Sequence, residues 1–454
     1  MKKHIIIGLL GLVTVFSSCN DELFLTPFQS IDQELALSND ANVKSVLIGA
    51  YAEMRSVSLY GGRLQLYSEM LGANGEIRWE GTFNQPREMF NKSIVVNNSF
   101  VEGTWAAAYR VINVSNNVLA SLEVVDEEDR DRVKGEALFL RGSMYFELIK
   151  LYGLPYVAGN LSTNLGVPIV LTPTRGINEE SFVSRNTVAE VYAQVLSDLT
   201  EAEPLLPPTN GFFANSYVTA AQLSRVYLQM ERFADARDAA NRAILQSEAN
   251  GKRLVTNYMD AFNTNGDSPE DLFAIQVNTQ DPDNDMFTFY SLPEYGARDG
   301  DVAILTNHLN GYESNDIRLS QFFTGAGELR TAKWRDQFKN VKVIRLTEMY
   351  LTRAEANFRE NTAIGATPLE DINQIRSRVS LPAKTVLTLG EILKERRLEL
   401  AHEGHIIHDV KRVRGSINDN TGSDVFPFDS PRMVFPIPQR EMDANPNLVQ
   451  NPGY

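Results

Sequence analysis

The chain has 454 residues, with 43 basic against 58 acidic side chains, a net charge of −15, and 43% apolar and 22% charged residues. That balance belongs to a folded protein able to bury a large core, not to a disordered or coiled-coil chain. The acidic excess argues against a nucleic-acid surface, and a single cysteine excludes a disulfide scaffold.

The N-terminus accounts for that cysteine. Met1-Lys2-Lys3-His4 is a short basic start, and residues 5–16 form an apolar run. The run is too short to span a bilayer, which takes about 20 residues, but it has the length of a signal-peptide core. Small Ser17-Ser18 sit directly before Cys19, and the stretch resembles a bacterial lipoprotein lipobox, with Phe16 a departure. The resemblance implies a signal peptide over 1–18 and Cys19 as the acylated first residue of the mature protein. Two or three acyl chains anchor stably where one would not. Asn20-Asp21-Glu22 resembles the surface-export signal of Bacteroidetes lipoproteins, which implies the outer, extracellular face of the outer membrane. Residues 19–38 are expected as a lipidated tether, with Pro27 breaking any early helix.

From about residue 40 helical periodicity dominates, so the expected fold class is mostly α. Val133, Ala137, Leu140, Met144, Leu148 and Tyr152 recur at three- and four-residue steps, predicting a helix over 133–152 that stops at Gly153 before Pro155. Residues 217–245 read as a helical hairpin turning at Glu231-Arg232, with Ala220, Ala236, Ala240 and Ala243 facing Tyr227 and Phe233; this resembles a tetratricopeptide unit. The spacing of Val343, Leu346, Tyr350 and Ala354 predicts a helix over 341–358. Another, over 389–402, opens at Thr388 with Glu391 three residues on, a capping box. Four helix pairs can be drawn: 40–70 with 104–122, 133–152 with 187–203, 217–245, and 341–378. Residues 72–102 and 250–340 break the pattern with Gly, Asn, Asp and short strand-like runs such as Leu272–Val277. Loops this long in a compact domain point to function, and these hold Trp79 and Trp334.

The usual chemical signatures are missing: there is no phosphate-binding glycine loop and no Gly-x-Ser-x-Gly elbow. His402, His405 and His408 fall close together, but His402-Glu403-Gly404-His405 is one residue short of the zincin step and Gly404 would break the helix. A helix C-terminus with histidines near its last carbonyls is the expectation, and no metal site is assigned. Asp281-Pro282-Asp283-Asn284-Asp285 starts like a calcium loop, but Met286 replaces the turn glycine and Leu292 the final acid, leaving a solvated acidic turn. Glu395-Arg396-Arg397-Leu398-Glu399 reads as a structural ion-pair network. No catalytic constellation and no cofactor motif emerge, so no enzyme is expected.

Several segments match one family in order. They are Glu136-Ala137 with Phe139-Leu140-Arg141 and Tyr152-Gly153-Leu154-Pro155; Ile344-Arg345 through Ala354-Glu355-Ala356; Asn373-Gln374-Ile375-Arg376-Ser377-Arg378; and Glu395–Leu400 with Glu403-Gly404 and Asp409-Val410-Lys411-Arg412. Pro436-Ile437-Pro438 and the closing Gln450-Asn451-Pro452-Gly453-Tyr454 complete the series. Together they resemble the SusD/RagB family of Bacteroidetes outer-membrane lipoproteins. The departures are Gly142, where alanine is usual, and His405 with His408, which replace arginine and an aromatic.

The resemblance implies a SusD-like fold over 39–454, with four tetratricopeptide-like hairpins as scaffold and a loop-rich region carrying short strands. An N-terminal helical part over about 39–250, a ligand region over about 250–340 and a C-terminal part over about 270–454 are expected. It also implies a non-enzymatic surface binder that captures glycan fragments and delivers them to a SusC-like TonB-dependent barrel; the RagB branch implies an oligopeptide instead. A glycan site needs flat aromatic faces and planar polar groups. Trp79, Trp334, Tyr290, Tyr295 and Arg298 are the candidates, whereas Trp105 falls on a shared helical pattern and reads as core.

Overall fold

The structure, a computed structural model, describes residues 36–176, 178–420 and 424–454. The signal peptide, Cys19 and all but the end of the expected tether lie outside the described residues. Among those described, no helix is long and apolar enough to cross a membrane.

The first half is helical. In chain order it contains α1 (Asp40–Met54), α2 (Arg63–Gly72), β1 (Ile77–Trp79), α3 (Asn84–Phe90), α4 (Ser99–Leu119), α5 (Glu127–Tyr152), α6 (Val188–Leu205), α7 (Ser216–Gln229) and α8 (Phe233–Ala249). The expected helix over 40–70 is thus two helices. Side chains close the helix starts: Asn215 caps α7 by accepting from the Val218 N–H at 2.9 Å, and Thr187 forms a capping box with Glu190 on α6. α1 packs on α4, α5 on α6 and α7 on α8, the expected pairings. α5 and α6 approach closely because α5 carries Gly142: an alanine Cβ there would come 3.0 Å from Asp198 Cβ. The neighbouring Arg141 grips Asp198 with two hydrogen bonds of 2.9 and 2.7 Å. That charge-assisted fork fixes the register of the two helices.

The second half mixes strands with short helices. It runs β2 (Asp271–Ile275), α9 (Asp285–Tyr290), β3 (Val302–Ile304), α10 (Thr306–Leu309), β4 (Phe322–Gly325), β5 (Glu328–Thr331), β6 (Val341–Arg345), α11 (Leu346–Glu360), α12 (Pro368–Arg378), α13 (Leu389–Glu399), α14 (Ile406–Arg412), β7 (Ser416–Asn418), β8 (Val425–Pro427) and α15 (Gln439–Ala444). β1, β3, β5 and β4 make one antiparallel sheet in that order, β2 pairs with β6, and β7 with β8. Residues 341–345 therefore correct the expected 341–358 helix: they form a strand buried at every position, and the helix starts at Leu346. The 389–402 helix ends early, at Glu399, and His402 takes a left-handed turn at φ 63°. Gly404 follows at φ 88°, where a Cβ would meet Gln65 Cα at 2.6 Å. Only glycine allows that approach.

Buried charge joins these elements. Arg345, at the end of β6, reaches Glu270 at 2.7 Å, Glu403 at 2.7 Å and Glu399 at 3.4 Å. Lys333 donates to Glu403 at 2.6 Å and to the carbonyls of Glu399 and Ala401 at 3.0 and 2.8 Å. Arg378 from α12 pairs with both Glu270 and Glu399. Burial alone would raise the Glu403 carboxyl, but Arg345 and Lys333 outweigh it and hold it at about 2. Phe262 lies under this cluster, its ring 5.1 Å from the Arg345 guanidinium and 4.9 Å from the Lys333 ammonium.

A separate buried cation closes two helix ends. Lys92, 2% exposed, donates to the Ala73 carbonyl beyond α2 at 2.9 Å and to the Phe90 carbonyl at the end of α3 at 2.8 Å. Both sit where helix carbonyls lack partners and a cation is favoured.

Two outcomes follow. Arg345→Met leaves Glu270, Glu399 and Glu403 short of a partner, and should destabilise the fold by about 3–5 kcal/mol in urea unfolding. Burial lowers the Lys92 ammonium from 10.5 to about 7. Between those values the unfolded chain holds a proton that the native state has shed, so native stability gains as pH rises. The stability difference between wild type and Lys92→Met should therefore shift in favour of wild type from about pH 7 to pH 10 and stay flat just below.

Candidate functional site

The two irregular stretches meet at the four-stranded sheet. β1 places Ile77 and Trp79 inward and Arg78 outward, the alternation of a half-buried strand. Trp79 is consequently core: it is 7% exposed and packs on Phe289 with ring centroids 5.6 Å apart. Trp334 is equally buried, and its indole N–H donates to the His402 carbonyl at 2.7 Å. Tyr290 is buried on α9 beside the His402 ring. Trp105, as expected, is core against Tyr152. None of the three tryptophans offers an open face, and the expectation of indole stacking at Trp79 and Trp334 does not fit where the structure puts them.

Tyr295 and Arg298 differ. Tyr295 closes a single turn that ends at Gly296, with φ 91°. It stands edge-on to Phe323 of β4 at 6.2 Å, and the Arg335 guanidinium lies 5.4 Å from its ring. Arg298 is held by Asp301 at 3.1 Å and by the Thr82 hydroxyl at 3.2 Å, and lies over the Phe83 ring at 4.6 Å. Phe83 is 37% exposed. Its inner edge rests on Phe289, 5.7 Å away, so the exposed ring continues the buried aromatic stack that contains Trp79. The result is two half-open aromatic groups, Phe83 beneath Arg298 and Tyr295 with Phe323 beside Arg335, linked along the chain by the 295–298 segment.

The cations here are matched locally. Arg298 pairs with Asp301, Arg335 with Asp336 at 2.7 Å, and Arg78 with Glu80 and Glu328 at 2.5 and 2.8 Å. Burial raises the Asp301 carboxyl, and Arg298 opposes that shift. Sequence reasoning missed Phe83, Phe323 and Arg335. Phe83 lies four residues from Trp79, beyond the end of β1, and no spacing in the sequence marks it.

The other sequence candidates are occupied structurally. Asp281 pairs with Arg55 at 2.8 Å and Asp285 with Arg63 at 2.7 Å, while Asn284 caps α9. His405 and His408 are held neutral by burial, His405 at about 4. Among the described residues no group of three or more His, Cys, Asp or Glu side chains could hold a metal ion.

Comparison with known proteins agrees with this architecture. A family profile described as starch-binding and associating with the outer membrane matches residues 24–228, and the SusD family profile matches 306–454. The chain belongs to the SusD/RagB family. A SusD-like protein of Formosa agariphila is 24% identical over the whole of both chains. The starch-binding protein SusD of Bacteroides thetaiotaomicron is 32% identical over 127 residues, 25% of this chain and 22% of that one. Among solved structures, a putative sugar binding protein from Bacteroides vulgatus superimposes with a TM-score of 0.82 at 28% identity, covering 92% of this chain and 99% of the other. A SusD superfamily protein from B. thetaiotaomicron gives 0.80 at 27%, covering 91% and 99%.

The division into core and open rings is testable by stability. Trp79→Ala should cost about 3–5 kcal/mol in denaturant unfolding. Tyr295→Ala, on a half-exposed turn, should stay within about 1 kcal/mol of wild type.

Proposed function

We infer that the chain is a non-enzymatic binding lipoprotein that captures oligosaccharides and passes them to a SusC-like TonB-dependent transporter. In this reading Cys19 carries the lipid anchor, and the body sits on the extracellular face of the outer membrane. The observation that carries the ligand class is the open surface of Phe83, Tyr295 and Phe323 with Arg298 and Arg335 beside it. Aromatic faces suit the C–H surface of a sugar ring, and guanidinium and hydroxyl donors suit its oxygens. Because each arginine here already has a carboxylate partner, the surface favours neutral sugars over anionic ones. Membership of the family, and a sugar-binding description among structures of the same fold, support the reading.

One observation favours an oligopeptide as the second reading. β4 is an outer strand of its sheet, beside Tyr295, and could accept an extended chain by strand addition. The absence of an open indole in the described residues points the same way.

The test is calorimetric titration of the purified chain with plant, host and microbial polysaccharides and with a mixed peptide digest. Saturable heat with a neutral glycan is expected, weakened at least about tenfold by Phe83→Ala and by Tyr295→Ala, each removing a stacking face. Binding to peptides alone would select the second reading. Cys19→Ala should release the protein from the membrane fraction, and retention there would remove the anchor from the proposal.

A further inference from the structure

A cavity of about 250 Å³ lies between the end of α2, β1, α13, α14 and β7, and none of its lining residues belongs to the open aromatic groups. Its walls are mostly apolar, with Ile77, Leu393, Leu400, Ile406, Val410 and Ile417 facing it, and the charged Glu69, Glu76, Arg396, Arg397 and Asp409 stand at its margins. His402 also lines it, and this ring is 2% exposed with neither nitrogen hydrogen-bonded to protein. The Tyr290 ring stands 5.9 Å from it, and the Tyr290 hydroxyl is likewise buried without a partner. Glu69, whose carboxylate is 3.7 Å from the His402 ring, is taken up on one oxygen by the Gly404 N–H at 2.8 Å.

Burial holds His402 neutral, so its ring presents one donor and one acceptor. Leaving both unmade in a desolvated site costs more than an ordinary hydrogen bond returns. Whichever ring nitrogen faces the cavity, a hydroxyl can meet it, donating to a bare nitrogen or accepting from an N–H, whereas a carboxylate only accepts and an ammonium only donates. The apolar walls then select the rest of the molecule. For scale, an apolar cavity of about 150 Å³ already accepts benzene.

Access is also visible. Glu76, His308, Leu393 and Arg397 line both this cavity and a shallow outer cleft that continues past Gly311 and Lys394. The Glu76–Arg397 ion pair stands at the junction; the Arg397 side chain is half exposed and can swing outward, while Glu76, 16% exposed, keeps His308 as a neighbour at 3.4 Å.

The geometry points to a second binding site, between α13, α14 and β1, for a small neutral molecule with an apolar body and one hydroxyl group, a phenol or short alcohol seated with its hydroxyl on His402. It is distinct from the polymer-binding surface and takes a ligand too small and too apolar to be a sugar.

Fluorine NMR on the purified full chain tests it with 4-fluorophenol against fluorobenzene. The expected result is saturable binding of 4-fluorophenol, at least tenfold tighter than fluorobenzene. His402→Phe should erase that preference, and Val410→Phe, which fills the apolar space from a half-exposed position, should abolish binding of both. Val413→Phe provides a second occluding variant if the first unfolds. No saturable binding, undiminished binding in a folded occluding variant, or a phenol preference that survives His402→Phe would each overturn the site, the last by leaving fixed water as the histidine's partner. A crystal soaked with 4-bromophenol reads the same claim without a variant: the bromine peak belongs among Leu393, Ile406 and Ile417, and a peak elsewhere, or none, counts against it.

Discussion

The contact on which most of this structure depends is the buried cluster of Arg345, Glu270, Glu399 and Glu403. Each residue comes from a different place in the chain: the end of β6, the turn just before β2, the last turn of α13 and the turn after it. Arg378 adds α12, and Arg318 joins through Glu399 at 3.3 Å and Glu395 at 2.6 Å. A hydrophobic contact tolerates sliding by a residue, because one apolar side chain replaces another. A desolvated carboxylate does not, since a one-residue slip leaves it unpaired at a cost of several kcal/mol. The cluster therefore specifies how these elements sit together rather than only how tightly.

The cluster also reaches the open aromatic rings. Lys333 is fixed by Glu403, Trp334 by the His402 carbonyl, and the next residue is Arg335, which emerges beside Tyr295. On the other side the buried Arg330 donates to the carbonyls of Gly300 and Val302 at 2.6 and 2.8 Å, holding the segment that carries Arg298 and Asp301. Phe83 rests on Phe289, beneath which lies Trp79. The three open rings thus stand on short segments whose neighbours are anchored. A preordered surface of this kind loses less entropy on binding than a flexible loop would.

The same anchoring explains what could and could not be read from sequence. The helices over 133–152 and 217–245 were legible from periodicity, and the start of the one expected over 389–402 from its capping box, though it ends at Glu399. The strand over 341–345 was not: it is buried on both faces, so it lacks alternation, and Val343 lies at a helical step from Leu346 across the strand–helix junction. Trp79 and Trp334 misled for a related reason. Both have charged neighbours, Arg78 and Glu80 in one case and Lys333 in the other, and polarity nearby suggested an exposed loop. Arg78 is the outward residue of a strand, and Lys333 is itself buried in the charge cluster. Charge in sequence means exposure only when the partner is water, and here the partners lie about 70 residues away at Glu399 and Glu403.

This also separates the parts of the chain that report family from those that report ligand. Arg345, Arg376, Arg378, Glu395, Glu399 and Glu403 belong to the segments by which the family is recognised, and their side chains face one another, not solvent. They would be needed in any protein with this arrangement of helices, whatever it bound. The open rings come from segments without such a pattern, 82–83, 295–298, 323 and 335, which are brought together only by the fold. A surface assembled from single residues of four separated segments leaves no spacing in the sequence to detect. The tryptophans, the residues that seemed to mark it, serve instead as the floor and the bolts beneath it.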